Sequence, residues 1–293
     1  MAIKIYADAV SNLFKTILED KKLDIKIMNV HLRIEDDEYL CYDGIDNIDE
    51  FSKIYYQAVA DKKKIGTSLV TPGDYEEAFR KEVEAGNKVV CFTMAQGISG
   101  TYQSACLARD DINLEKGETV VEVIDCMTAG FGEGLQAIHA YELAQQGKTF
   151  EEIVKECEEF KHYVKSDFTV DDIQYLIKTG RVGKTLARFV NFLNVKILLK
   201  RSNKSSIAFA GTARGKANAI KELAKKCVES INKDLPQIVY ITHCNVIEDA
   251  EKLKKMLNEG GVENVEIYDY DFVSGTHIGP GSLAVFYVSN NWY

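Results

Sequence analysis

A glycine- and proline-rich stretch near the C-terminus, residues 275–282, contains His277, one of only five histidines in the chain. Half of its eight residues are glycine or proline, so the backbone must adopt conformations that other residues resist. Strand-like runs lie on either side, at 265–270 and 283–288, and Ser282 supplies a hydroxyl. A histidine in such a loop at a strand end can face a ligand. The alternative is a tight turn with an incidental surface histidine.

A second loop of similar character follows the apolar run 88–93, which is typical of a strand buried on both faces. There Ser99 and Thr101 flank a glycine and begin a predicted helix, so backbone N–H groups and two hydroxyls form a natural anion site. An extended segment upstream, containing Thr67 and Ser68, would add two more hydroxyls at a neighbouring strand end. Carboxylates and phosphates suit such donors. Simple N-capping by Ser99 or Thr101, without a ligand, is the alternative.

A cation that could bind an anion is found at Arg181, directly after Gly180. Arginine can hold a carboxylate with two parallel hydrogen bonds, which lysine cannot reproduce. The alternative is a surface arginine that follows the glycine ending a helix.

Signatures of several enzyme classes are absent from the sequence. The Ser99 loop reads G-x-S-G rather than the G-x-S-x-G of a nucleophile elbow. Leu135 stands where a dinucleotide-binding loop at 130–134 would need its later glycine, and no P-loop or metal motif occurs. Asp8 and Asp125 each end a predicted strand, where a carboxylate can orient a base or bind a metal. Capping of the next helix is the alternative that we favour for both.

Composition places the chain among soluble, acidic, globular proteins. It has 293 residues, 46% hydrophobic and 28% charged, with a formal net charge of -9. This charge disfavours a nucleic-acid or anionic-membrane partner. No run approaches the about 20 apolar residues of a membrane span, and the N-terminus lacks the features of a signal peptide. The seven cysteines are scattered without zinc spacing, which indicates reduced thiols and a cytoplasmic location.

Apolar runs alternate with helical periodicity through the first half of the chain, which predicts a parallel sheet with helices on both faces. Beyond residues 162–165 the pattern predicts a more mixed sheet. We therefore predict an α/β fold of two domains: 1–163 with the parallel sheet, and 164–293 with the mixed sheet and the His277 loop. Predicted helices of the second domain are 173–178, 186–193, 212–230 and 247–258.

Several motifs, in a specific order, resemble the DegV family of bacterial lipid-binding proteins over essentially the whole chain. They are the opening strand ending at Asp8, Tyr42-Asp43-Gly44, Thr67-Ser68 before a proline-started helix, residues 98–105, Gly180-Arg181, Asn194-Val195-Lys196, residues 214–217, and residues 277–282. The resemblance implies two α/β domains that clasp a long-chain fatty acid, with its carboxylate at the domain junction and its acyl chain in an apolar tunnel. It implies no cofactor.

The resemblance also implies a role for particular residues and a partner. Thr67 and Ser99 would be the principal carboxylate ligands. The residues expected around them are Ser68, Gly100, Thr101, Arg181, His277, Gly279 and Ser282. With an unperturbed pKa of about 6.5, His277 is expected to be able to carry a charge beside the anion. Some family members present the fatty acid to a kinase subunit similar to dihydroxyacetone kinase, which makes acyl phosphate.

Two departures from the family pattern affect the expected head-group site. Asp8 is followed by Ala9, where the family usually has serine, so one hydroxyl is missing. Leu69 and Val70 follow Ser68, where the family tends to have Gln-Pro-Ser. These changes bear on head-group detail and chain-length preference.

Three functions remain open at this point. The first is a non-enzymatic carrier that binds a fatty acid and offers it to a kinase. The second is an acyl-ester or thioester hydrolase with Ser99 as nucleophile and His277 as base. The third is a phosphotransfer subunit in which His277 bonds covalently to a small carbonyl substrate.

Overall fold

The computed structural model describes residues 2–183 and 194–292. The chain divides into two compact units, Met1–Lys161 and His162–Tyr293. The elements of the first unit are β1 (Ile3–Asp8), α1 (Lys15–Asp20), β2 (Ile25–Met28), β3 (His31–Ile34), β4 (Asp37–Leu40), α2 (Ile48–Ala60), β5 (Ile65–Thr67), α3 (Pro72–Glu84), β6 (Lys88–Thr93), α4 (Thr101–Lys116), β7 (Val121–Asp125), α5 (Phe131–Gln145) and α6 (Phe150–Phe160).

The predicted parallel sheet of the first half is confirmed. Its strands lie in the order β2-β1-β6-β7, and all their pairings are parallel. Val89, Val90, Cys91 and Phe92 of β6 are fully buried, as expected for a central strand covered on both faces. The order places the carboxyl ends of β1, β6 and β7 side by side, where the loop to Ser99 begins.

A separate antiparallel sheet has the order β4-β3-β5, and its pairing of β5 with β3 was not predicted from the sequence. Thr67 of β5 pairs with Leu32 of β3. The prediction that the Thr67 segment ends a strand next to β6 in the parallel sheet is therefore wrong. The proline-started helix predicted after Thr67-Ser68 is present as α3. It has a capping box: Thr71 Oγ1 accepts a hydrogen bond from the Asp74 amide at 3.3 Å, and Asp74 Oδ2 accepts one from the Thr71 amide at 3.0 Å.

The second unit contains a mixed sheet, which confirms that prediction. Its strands lie in the order β10-β9-β8-β13-β11-β12, and only the β11–β12 pairing is parallel among the described strands. The elements are β8 (Val164–Val170), α7 (Gln174–Lys178), β9 (Val195–Arg201), β10 (Ile207–Arg214), α8 (Lys216–Ser230), β11 (Val239–His243), α9 (Ile247–Glu259), β12 (Val265–Asp269), α10 (Phe272–Ile278) and β13 (Leu283–Val288).

Helices α8 and α9 bury their apolar stripes against this sheet, and Ile220, Leu223, Leu253 and Leu257 belong to the resulting core. The helix predicted at 212–230 begins only at Lys216, because the preceding residues continue β10 and pair with β9. The helix predicted at 186–193 lies outside the described residues.

Candidate functional site

The first group of predicted ligand residues lies at the start of α4. Thr101 is the first residue of the helix and is fully buried, while Ser99 is half-buried and Gly100 is exposed. The two hydroxyl oxygens of Ser99 and Thr101 are 2.9 Å apart, and Ser99 Oγ accepts a hydrogen bond from the Thr101 amide at 3.3 Å. When the Thr101 hydroxyl also donates to Ser99, the Ser99 proton remains to be donated outward. The N-cap residue is Gly100, without a side-chain capping bond, so N-capping by Ser99 or Thr101 is not observed. Anion binding at this helix start stays a prediction.

The loop that carries Ser99 is held by the aspartates at the ends of the adjacent strands. Asp8 accepts hydrogen bonds from the amides of Val10 at 2.9 Å and Met94 at 3.2 Å, and Asp125 accepts one from the Met127 amide at 2.9 Å. These bonds go to loop and strand-end amides rather than to the first turn of the next helix. The capping role predicted for both aspartates is therefore wrong in this detail.

Asp8 has no exposed surface, and a second buried carboxyl group lies beside it. Glu133 Oε1 accepts a hydrogen bond from the Asp8 amide at 2.9 Å, and Glu133 is also fully buried. Burial raises the pKa of Asp8 to about 6, although the hydrogen bonds from Val10 and Met94 act in the opposite direction.

The Thr67 segment adjoins the Ser99 loop through a leucine. A Cβ atom added to Gly100 would lie 3.1 Å from Leu69 Cδ2, so Leu69 is in contact with the α4 N-terminus. Ser68 is exposed, and its amide donates to the His31 carbonyl at 3.0 Å. The predicted hydroxyl residues of the first unit therefore belong to one region, next to a leucine that is 40% exposed.

His277 lies in the last turn of a short helix, α10, and not in an open loop as predicted. Asp271 caps this helix, since Asp271 Oδ1 accepts a hydrogen bond from the Ser274 amide at 2.7 Å. The helix ends at Gly279, whose φ of 78° is unfavourable for other residues. The glycine-rich character thus comes from a helix stop and the turn after it.

The environment of His277 changes the expected charge of its side chain. Burial lowers the pKa of His277 to about 4, and the positive charge of Arg181 acts in the same direction. Burial also lowers the pKa of Arg181. The unperturbed pKa of about 6.5 expected for His277 is therefore wrong, and the His277 ring is neutral near pH 7. The structure does bring these two predicted residues together.

The two remaining predicted residues, Gly279 and Ser282, pack and bond within the second unit. A Cβ atom on Gly279 would lie 2.5 to 2.8 Å from ring atoms of Tyr175, so only glycine fits there. Ser282 is fully buried, and its hydroxyl donates to the Ile278 carbonyl at 2.9 Å. This bond ties β13 to the end of α10, and it leaves the Ser282 oxygen as an acceptor rather than a donor.

The observed chemistry disfavours the hydrolase hypothesis. In the described ranges, the hydrogen bonds of the Ser99 hydroxyl are with Thr101, which is not a general base. A histidine with a pKa near 4 is a weak base at neutral pH. All seven cysteines are buried thiols, and burial raises the pKa of Cys91 and Cys126 well above the ordinary value, so these thiols are poor nucleophiles.

Within residues 2–183 and 194–292, no group of three or more histidine, cysteine, aspartate or glutamate side chains is arranged to hold a metal ion. Over the same part of the chain, no helix has the length and apolar character needed to cross a membrane.

Comparison with known proteins identifies the family. A family profile described as "Uncharacterised protein, DegV family" matches residues 2–290. A DegV domain-containing protein of Clostridium acetobutylicum is 31% identical over 291 residues, which covers 98% of each protein. A crystal structure from Eubacterium ventriosum, described as a stearic acid-binding protein, is similar with a TM-score of 0.81 and 25% identity over 98% of both chains. The fatty acid kinase B3 protein of Streptococcus pneumoniae, solved with linoleic acid, has a TM-score of 0.80 at 20% identity over 99% of this chain and 100% of that one. This chain belongs to the DegV family.

Proposed function

We propose that this protein binds a long-chain fatty acid and is not itself an enzyme. The observation that carries the proposal is family membership over residues 2–290, together with the full-length similarity to the stearic acid-binding protein of Eubacterium ventriosum. The hydroxyl groups and backbone amides at the start of α4 support it, because donors of this kind suit an anionic head group.

In this proposal the carboxylate is bound at the junction of the two predicted domains, 1–163 and 164–293. Thr67 and Ser99 are its principal ligands. The side chains and backbone groups around it are those of Ser68, Gly100, Thr101, Arg181, His277, Gly279 and Ser282. The neutral state of His277 suits a donor that contributes one N–H to the carboxylate. A bound carboxylate also raises the pKa of His277, because a negative charge stabilises the protonated ring.

The acyl chain would supply most of the affinity. Burying it in an apolar tunnel contributes about 0.8 kcal/mol per CH₂, so a few polar donors need only fix the orientation of the head group. Leu69 is an apolar side chain beside those donors in the first unit, since its Cδ2 atom adjoins Gly100. We propose that it covers the carbons next to the carboxylate.

We further propose that the protein presents the bound fatty acid to a separate kinase subunit, similar to dihydroxyacetone kinase, which phosphorylates the carboxylate. The support for this step is the similarity of fold to the pneumococcal fatty acid kinase B3 protein. A cytoplasmic location would give access to such a kinase, and seven buried thiols accord with a reducing compartment.

The head-group assignment is tested with Thr67→Ala, Ser99→Ala and the double variant, using displacement of a fluorescent fatty acid from delipidated protein. Loss of one hydrogen bond to a charged group weakens binding about tenfold or more. Ser52→Ala on α2 is the control, since it removes a hydroxyl elsewhere in the same unit. Unchanged affinity in the folded double variant would contradict the assignment.

A further inference from the structure

A cluster of lysines and aspartates in the second unit lies against the turn that follows His277. Asp171 Oδ1 is 2.9 Å from Lys196 Nζ and 3.3 Å from Lys216 Nζ. Lys216 also pairs with Asp249 at 3.2 Å. The cluster includes two of the sequence motifs that resemble the family, residues 194–196 and 214–217, and the proposed fatty-acid site uses neither of them.

Lys216 connects this cluster directly to the backbone of the turn. Its Nζ donates a hydrogen bond to the Gly281 carbonyl at 2.8 Å. Gly281 has a φ of 82°, and a Cβ atom there would overlap the Asp171 carboxylate. The Asp171–Lys216 pair therefore packs against Gly281 on one side while bonding to its carbonyl oxygen.

The same turn is fixed to the end of β11 by two backbone hydrogen bonds. The Gly281 amide donates to the Cys244 carbonyl at 2.8 Å, and the Cys244 amide donates to the Ser282 carbonyl at 2.9 Å. Lys216 contributes a side-chain bond to this turn and joins it to α8. Since α10 ends at Gly279, a shift of the turn would move the last helical turn, where His277 lies.

The position of Lys216 is unfavourable for its own helix. It is the first residue of α8, where the helix dipole disfavours a positive charge, and the first turn of α8 contains no acidic residue. The backbone still holds it there: Gly215 has a φ of 78°, and its amide donates to the Asn194 carbonyl at 2.8 Å. A local conflict of this kind is expected where a residue serves a site rather than the element containing it.

We propose that Lys216 is a positioning residue for the ligand site, which fixes the 279–282 turn and thereby the orientation of His277. The inference rests on the proposed function for its link to fatty-acid binding. Asp171 supports Lys216 from the side of Gly281, and Asp249 supports it from α9. Lys196 neutralises the remaining charge on Asp171.

The test compares Lys216→Met with Lys252→Met. Lys252 pairs with the same Asp249 at 2.9 Å, and its side chain is 58% exposed. Two quantities are measured: the pKa of His277 by NMR of histidine-labelled protein, assigned with His277→Gln, and the Kd of a fluorescent fatty acid.

For Lys216→Met we expect the His277 pKa to rise from about 4 by about one unit or more, because water enters around the ring. We expect the Kd to rise about tenfold. Lys252→Met leaves both unchanged, and Lys216→Arg, which keeps a donor and a charge, restores part of each.

The outcomes separate this inference from the proposed function. If Lys216→Met leaves both the His277 pKa and the Kd at the wild-type values, the inference is overturned. If wild-type protein binds no fatty acid but the pKa of His277 still rises in Lys216→Met, the fatty-acid proposal fails and the positioning role stands. Should Lys216→Met not fold, Asp171→Asn is used instead, because it removes the charge of the partner that holds Lys216 against Gly281, at an exposed carboxylate. It is expected to shift the His277 pKa in the same direction, and an unchanged pKa would overturn the inference.

Discussion

Asp125, at the end of β7, binds Gln96 twice, through the Gln96 amide at 3.3 Å and through its side-chain Nε2 at 2.9 Å. The same carboxylate accepts a hydrogen bond from the Met127 amide. One side chain therefore joins the loop that leads to Ser99 with the loop that leads to α5. On the other side of β6, Asp8 bonds the Met94 amide. The proposed carboxylate donors are thus oriented by the sheet and not only by their own helix.

Asp125→Asn is expected to disturb the Ser99 loop. The asparagine side chain has one acceptor oxygen where Asp125 uses both, so a donor of Gln96 or Met127 loses its partner. Because Gln96 is exposed, water can replace part of the lost bond, and we expect the free energy of unfolding to fall by about 1 kcal/mol. Fatty-acid affinity should fall with it, because the loop to Ser99 loses a fixed contact. Asp110→Asn on α4 is the control, because Asp110 pairs with Arg109 at the surface and an exposed pair of this kind contributes little. Equal effects of the two variants on affinity would show that Asp125 does not position the site.

Asp8 is expected to give the protein a component of stability that increases on acidification. Its pKa is raised to about 6 in the folded state, chiefly by burial, from an ordinary value of 3.8. The folded state therefore binds the proton more tightly, and the contribution of Asp8 to stability falls as the pH rises from about 4 to about 6. Between about pH 7 and pH 5, protonation of Asp8 should add about 1 kcal/mol to the free energy of unfolding.

The measurement is denaturant unfolding of wild type and Asp8→Asn across this pH range. Asparagine does not titrate. The free energy of unfolding of wild type, minus that of Asp8→Asn, should therefore rise by about 1 kcal/mol as the pH falls from about 7 to about 5. Other titrating groups are common to both proteins and cancel in the difference. A difference independent of pH would mean that Asp8 does not take up a proton in this range.

Gly279→Ala is expected to destabilise the second unit strongly. Gly279 has φ 78° and ψ 166°, a region that is essentially restricted to glycine, and an added Cβ would overlap the Tyr175 ring. We expect a loss of about 3 kcal/mol or more in the free energy of unfolding, from strain and overpacking together. Gly261→Ala separates the two causes: it has φ 85° and no atom within 4 Å of the added Cβ. Its expected loss is about 1 kcal/mol. Losses of equal size would show that Tyr175 moves aside at no cost.

Features set by neighbouring residues were predictable from the sequence. The proline-started helix after Thr67-Ser68 is a local pattern, and it forms as predicted. The buried strand β6 follows from a run of apolar residues, and its parallel neighbours follow from the alternation of strands with helices. The proximity of Arg181 to His277 could be inferred only through the family resemblance, since almost one hundred residues separate them in the sequence.

Features that depend on pairing between distant residues were not predictable. β5 pairs with β3, and this places Thr67 in a small antiparallel sheet. No local sequence pattern indicates the pairing of these two strands, because about 35 residues separate Leu32 from Thr67. α10 was missed because Gly275 and Gly279 suggest a loop, although Asp271 three residues before Ser274 was an available helix-start signal. The low pKa of His277 arises from burial, which the amino-acid types around it in sequence do not reveal.

The most direct test of the proposed function is mass spectrometry of the gently purified protein, first native and then denatured with organic extraction. The proposal predicts a native mass above that of the chain, an excess that disappears on denaturation, and a long-chain fatty acid of the same mass in the extract. Thr67→Ala combined with Ser99→Ala should reduce the occupied fraction. A native mass equal to that of the chain alone, together with no uptake of added fatty acid, would contradict the proposal. It would return attention to the hydrolase and covalent-histidine hypotheses.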